Sequence, residues 1–234
     1  MRFKILCKYG KYPSKFGGTS SFLINDGETN VVLDMGSGSA IALDAHVPFQ
    51  KVSAIVLSHL HFDHISDLFS LVYRSRETKI PVYLPESPKE IFDIIEGTNA
   101  FDLYPIKDGM TVNIGSVLLK FCKMTHPVET YAIRAECGKN VLVYTADTTY
   151  NENIAPTIRG SRYVFADACV RGEEHTKYSP HISVKEIARI TREAGAEIVL
   201  IHLPPVSDNG DILREALSEN PAAKLGETDI WYEF

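Results

Sequence analysis

The run Ser58-His59-Leu60-His61-Phe62-Asp63-His64 places three histidines and one aspartate within six residues. Imidazole nitrogens and carboxylate oxygens are the ligands that borderline divalent cations such as zinc prefer. Crowding four of them into one loop is electrostatically wasteful without an ion between them. The plainer reading, a polar loop ahead of an N-capped helix, leaves that crowding unexplained. Other metal-capable side chains stand at the ends of apolar runs. Asp34 follows Val31 to Leu33, and His59 comes just after Val52 to Leu57. His126 follows Val117 to Phe121, Asp147 follows Val141 to Tyr144, Asp167 closes Tyr163 to Phe165, and His202 closes Ile198 to Ile201.

Those runs are short and rich in β-branched residues, so they predict strands, several buried on both faces. If the strands share one core, their carboxyl ends form one rim on which a site can be held rigidly. Between them lie helical patterns. Ile65, Leu68, Leu71 and Val72 share one face, as do Ile187, Ile190 and Ala194. Ser183-x-x-Glu186 is a capping box for the second helix, and Gly195 is its stop signal. Pro81, Pro85 and Pro88 bracket Val82-Tyr83-Leu84, which predicts an edge strand there.

A chain of 234 residues with 44% hydrophobic content can bury a substantial core. No repeat, low-complexity tract or linker interrupts it, so one domain over 1–234 is expected. The net charge of -6 gives no general attraction to nucleic acid. No apolar stretch is long enough to span a bilayer, and the start Met-Arg-Phe-Lys-Ile-Leu-Cys-Lys is not a signal peptide, so no membrane association and a cytoplasmic location are expected. Cys7, Cys122, Cys137 and Cys169 are scattered without a CxxC pair, which fits reduced core thiols.

His59-x-His61-x-Asp63-His64 after a buried strand resembles the signature of the metallo-β-lactamase superfamily. Thr125-His126, Thr145-Ala146-Asp147-Thr148 and Ile201-His202 follow in the order of the family's later motifs, and Leu33-Asp34-Met35-Gly36 resembles its first. The resemblance implies an α/β fold, a four-layer αβ/βα sandwich. It implies two divalent metal ions, with zinc expected and Mn2+ or Fe2+ also suited. His59, His61 and His126 would hold one ion; Asp63, His64 and His202 the other; Asp147 would bridge both. Asp34 would organise the loop beneath them rather than bind metal.

Within the superfamily, His61 stands where flavodiiron oxidoreductases have Glu, which favours hydrolysis. Asp147 stands where many secreted zinc β-lactamases have Cys. Met124-Thr125-His126-Pro127-Val128-Glu129 differs from the Gly-His-Thr/Ser-x-Gly element of glyoxalases and lactonases and resembles the ribonuclease Z and cyclic-phosphodiesterase branch. That branch has a further His before a helix, partnered by an acid; here His181 and Asp167 fill those places, Asp167 being one methylene shorter than the usual Glu. A helix-start residue without chemistry is the alternative for His181. Only 21 positions separate His126 from Asp147, too few for the arm with which ribonuclease Z grips transfer RNA. Transfer RNA is therefore not an expected partner.

The expected reaction is hydrolysis of a small or cyclic phosphodiester, with a hydroxide generated between the ions as nucleophile. Asp63, His181 and Asp167 form the catalytic set, His181 protonating the leaving alkoxide. The rival within hydrolysis is a lactone, thioester or other carbonyl substrate. The rival outside enzymology is a non-catalytic, metal-stabilised interaction protein. A homodimer is compatible with the sequence. Arg74, Arg76 and Lys79 read as a solvated helix end, with a phosphate contact as the lesser alternative; His46 and His175 read as surface residues.

Overall fold

The computed structural model describes residues 1–75 and 78–234. The first half builds β1 (Arg2–Cys7), β2 (Ser21–Asn25), β3 (Asn30–Leu33), β4 (Ala54–Val56), β5 (Ile80–Leu84) and β6 (Phe101–Pro105). The second builds β7 (Thr111–Ile114), β8 (Val117–Met124), β9 (Thr130–Cys137), β10 (Asn140–Tyr144), β11 (Tyr163–Asp167), β12 (Glu197–Ile201) and β13 (Lys224–Leu225). A final strand, β14 (Tyr232–Glu233), returns to the first sheet beside β1. The sheets run β14-β1-β2-β3-β4-β5-β6 and β13-β12-β11-β10-β9-β8-β7.

Strand alternation separates three apolar layers. Val31, Leu33 and Val56 face Phe121, Ile133, Phe165 and Ile201 between the sheets. Val32, Ile55 and Val82 turn the other way, into a layer with Leu43 of α1 (Ser39–Asp44) and Phe92 and Ile95 of α3 (Lys89–Gly97). On the far side Val143, Val164, Ile198 and Leu200 meet Ile158, Ile187 and Ile212. These belong to α4 (Ile154–Ile158), α5 (Val184–Glu193) and α6 (Gly210–Glu219). Helix, sheet, sheet, helix is the four-layer αβ/βα sandwich. It explains why both faces of these strands are apolar: each sheet is covered twice.

Two local expectations change. Ile65, Leu68 and Leu71 are buried together as expected, but on a short α2 (Phe62–Ile65) followed by a 3-10 segment, Ser66–Leu71. Val82-Tyr83-Leu84 is not an edge strand: β5 lies between β4 and β6. Pro81 is tolerated because the β4 ladder starts only at Ile55↔Val82, so its missing N–H removes no rung. The α5 cap forms as expected, Ser183 Oγ accepting from the Glu186 N–H, with Gly195 at φ +70° past its end.

Candidate metal centre

In the second sheet β10, β11 and β12 are mutually parallel, and β8 is antiparallel to β9, which is antiparallel to β10. The carboxyl ends of β8, β10, β11 and β12 therefore share one edge, and His126, Asp147, Asp167 and His202 lie there. The first sheet meets that edge through the loop after β4, tied across by the Tyr131 N–H to the Ser58 carbonyl (3.0 Å). Four non-glycine residues at this rim have left-handed backbone: Lys11 (φ 67°), Asp34 (57°), Ala146 (53°) and His202 (52°). That conformation is costly for side chains other than glycine, and it collects where function fixes a direction.

The ligand-type atoms of His59, His61, His126 and Asp147 all lie within 4.8 Å of one another, and so do those of Asp63, His64 and His202. His61 Nδ1 is 3.1 Å from both His59 Nε2 and His126 Nε2. Nitrogens about 2.0–2.1 Å from one tetrahedral cation would stand roughly 3.3 Å apart, close to this spacing. In the second group His202 Nε2 is 3.2 Å from Asp63 Oδ2. Asp147 reaches both groups: Oδ1 is 3.5 Å from His64 Nε2, and Oδ2 is 3.3 Å from His202 Nε2 and 3.8 Å from His59 Nε2.

Neighbouring acceptors fix which ring nitrogen faces inward. Asp34, fully buried, accepts from the Ser58 N–H (2.7 Å), Ser58 Oγ (2.8 Å), Tyr144 OH (2.7 Å) and His64 Nδ1 (2.8 Å). Ser58 Oγ in turn accepts from His59 Nδ1 (3.0 Å), and the Pro180 carbonyl accepts from His126 Nδ1 (3.0 Å). Each leaves an Nε2 lone pair turned into the cluster. His64 Nε2 and Asp147 Oδ1 are buried with no hydrogen-bond partner among the described residues. Such orphaned atoms are costly unless something electrophilic sits between them. The donor set, its tautomers and its spacing fit divalent metal. Burial and the surrounding imidazoles hold the His59 pKa well below the ordinary value, which keeps its ring neutral.

His181 and Asp167 adjoin this cluster. His181 Nδ1 donates to Asp167 Oδ2 at 2.7 Å and lies 3.9 Å from Asp147 Oδ2. Asp167 is itself held by the Cys169 N–H (3.1 Å), and its Oδ1 lies 3.4 Å from His202 Nδ1. Burial disfavours the imidazolium of His181, but the charge and hydrogen bond of Asp167 outweigh it and raise its pKa to about 9.

Sequence reasoning missed the supporting roles of four residues. Ser58 and Tyr144 complete the Asp34 network, and only their places beside the motif and at the end of β10 hinted at it. The Lys11 N–H donates to Asp63 Oδ2 (2.7 Å) from a loop 52 positions upstream, for which there was no signal. Gly10 has no room for a side chain: a Cβ there would stand 2.5 Å from the His202 ring. Arg74 contacts Asp44 and Phe49, and Lys79 contacts Asn99, so neither is spent on the cluster. Arg76 lies outside the described residues. His46 is exposed, whereas His175 is partly buried.

A fold of two such sheets with this cluster between their edges defines a class, and sequence comparison names it. The model of the metallo-β-lactamase superfamily matches residues 14–200. The chain belongs to that superfamily of metal-dependent hydrolases. The probable metallo-hydrolase YhfI of Bacillus subtilis strain 168 is 28% identical over 225 residues, 92% of each chain. The crystal structure of the YhfI protein from that organism matches with a TM-score of 0.92 at 26% identity, covering 99% of both chains. Ribonuclease Z of Methanopyrus kandleri strain AV19 is 24% identical over 262 residues, 94% of this chain and 93% of that one. A diphosphatase from the PhnP family shares the fold (TM-score 0.83, 16% identity, 100% and 98% covered). No helix among the described residues is long and apolar enough to cross a membrane.

Proposed function

We propose that the protein is a binuclear metal-dependent phosphodiesterase acting on a small or cyclic phosphodiester, working with zinc. His59, His61 and His126 would hold one ion, Asp63, His64 and His202 the other, and Asp147 both. When bound, the ions supply a water acidified enough to ionise near neutrality and positive charge against the phosphate oxygens. The chain's own residues do the rest. Asp34 and Ser58 orient the ligand rings, and the Lys11 N–H aims the Asp63 carboxylate. His181 keeps its Nδ1 proton on Asp167, so its Nε2 carries the second proton of the imidazolium and can give it to a departing alkoxide.

The observation that carries this reading is the 2.7 Å His181–Asp167 pair beside Asp147. An alkoxide leaving group needs a proton donor; an acid held next to the cluster is wasted on a thioester, whose thiolate leaves without one, and it serves a phosphodiester or a lactone. Between those two, the names of two relatives, a ribonuclease and a diphosphatase, favour the phosphodiester. Phe62, Tyr150 and Tyr178 are exposed within three residues of Asp63, Asp147 and His181, and they offer flat faces to an aromatic base. The test is turnover by zinc-reconstituted protein of a bis-aryl phosphodiester and cyclic nucleotides, beside lactone, thioester and precursor transfer RNA panels. Phosphodiesters should lead. Leading turnover of lactones or thioesters, or efficient trimming of precursor transfer RNA, would overturn the reading.

A further inference from the structure

The outer helices do not cover the whole second sheet. They lie over β10 to β12 and reach Met124 and Ala132, the rim ends of β8 and β9. Beyond Cys122, which pairs with Ala132 and still touches that layer, the residues of β8 and β9 that point away from the inter-sheet core are Leu118, Lys120, Arg134 and Glu136. There a recess of about 500 Å³ opens, lined among others by Asp108, Lys120, Cys122, Arg134, Asn153 and Arg159.

Its charges are arranged unfavourably for an empty surface. Lys120 and Arg134 are direct cross-strand partners in the β8–β9 ladder, on the same face. Like charges placed directly opposite destabilise a sheet. Arg134 is fixed on one side: its Nε donates to Glu136 (2.6 Å), and its Nη1 to the Thr157 (2.9 Å) and Arg159 (2.8 Å) carbonyls. Its Nη2 has no partner among the described residues, and neither has the Lys120 ammonium or the Arg159 guanidinium. The acid in the lining, Asp108, already accepts from the Lys123 N–H through Oδ1. Three cations line a space the size of a small molecule, one of them, Arg134, held rigid by backbone carbonyls and by its ion pair with Glu136. Planar guanidinium groups with free N–H edges match tetrahedral oxyanions.

We infer that this recess is a second binding site, separate from the His/Asp cluster, for a small phosphate-bearing ligand. Lys120 stands four residues before Met124 on β8, roughly 14 Å along the strand at about 3.4 Å per residue. One compact phosphodiester cannot occupy both places, so the ligand of the recess is a distinct molecule. The segment after Asp147 runs directly to the recess: Asn153 Nδ2 donates to the Lys123 carbonyl (2.9 Å), and Asn151 Nδ2 donates to Thr148 Oγ1 (3.0 Å).

Phosphate titration of the zinc-loaded protein, followed by 31P NMR, tests this with inorganic phosphate as the probe. Two classes of site are expected, one at the metal centre and one in the recess. In the variant Lys120→Thr/Arg159→Gln the second class should weaken by about tenfold or more, the scale of losing charged hydrogen bonds. Metal content and turnover of a nitrophenyl phosphodiester should be unchanged. Lys120→Thr alone should also raise Tm in phosphate-free buffer, because it removes the like-charge pair. A single class of phosphate site, or a second class that survives the double substitution, would overturn the inference. So would binding of a single-stranded oligonucleotide at this recess when inorganic phosphate does not bind.

Discussion

The two sheets equip the rim in different ways. From the first come His59, His61, Asp63 and His64, all within one loop and the short helix after it. From the second come His126, Asp147, Asp167 and His202, one from each of four strand ends. The first set is placed by local backbone geometry. The second exists only because four strands run in one direction and finish at one level. Any disturbance of the second sheet should therefore scatter its contribution, while the loop of the first keeps its residues together.

The largest effect should separate the sets most clearly. Asp147 lies between both groups, so Asp147→Ala should remove most of both metal equivalents and lower turnover by roughly 10³-fold or more. His61→Ala should release about one equivalent. Elemental analysis alongside turnover checks this. Full metal content in Asp147→Ala would break the idea that the second sheet bridges the site.

Next in size is the proton donor. His181→Ala should keep its metal yet lose about 10²–10⁴-fold on substrates with a poor alkoxide leaving group, and much less on a nitrophenyl ester. The sign of the pH effect follows from the charge on Asp167. His181 works in its protonated form, so activity on alkoxide esters falls as pH rises through its pKa, which is raised to about 9. Asp167→Asn removes the charge that raises it, and the alkaline limb should move to lower pH. An unmoved limb would exclude His181 as the titrating acid.

Asp34 sharpens the comparison on the other side, since it would orient the first sheet's proposed ligands without itself binding an ion. Asp34→Asn should cost roughly 10–100-fold in metal affinity, the usual scale for groups that orient ligands. Competition with a chromophoric chelator measures it; an unchanged affinity would mean that the Ser58, His64 and Tyr144 bonds do not set the ligand rings.

The difference between the sets also explains what could be read from the residues. The first sheet's motif is contiguous, so chemistry and spacing are both visible in the sequence. His126, Asp147 and His202 were legible only by their order along the chain and their places after apolar runs. The strands themselves were legible because sheets covered on both faces leave unbroken apolar runs such as Ile198 to Ile201. What was lost is what depends on three-dimensional approach. The central place of β5 was masked by its proline. The bond from the Lys11 N–H to Asp63 joins segments that share no pattern. The cross-strand pair Lys120 and Arg134 becomes a pair only through the β8–β9 register.

Gly10 gives the smallest effect and the finest discrimination. It carries no chemistry, and the Gly10 N–H to Leu203 carbonyl bond (2.9 Å) holds it against the residue that follows His202. A Cβ at Gly10 would meet the His202 ring at 2.5 Å, closer than packed atoms tolerate, so the ring must move. His202 already sits in left-handed backbone (φ 52°) and has little freedom to yield by rotation about its own chain. Gly10→Ala should therefore weaken binding of the ion proposed for Asp63, His64 and His202 by about tenfold, the lower end of the scale for ligand-orienting groups, and leave the other proposed ion in place. Gly97→Ala is the control: a Cβ there meets nothing within 4 Å, and alanine at the end of α3 should stabilise the protein by up to about 1 kcal/mol. If Gly10→Ala binds both ions as tightly as the Gly97→Ala control, close packing against His202 does not position the second sheet's ligand, and the contrast between the two sheets loses one of its supports.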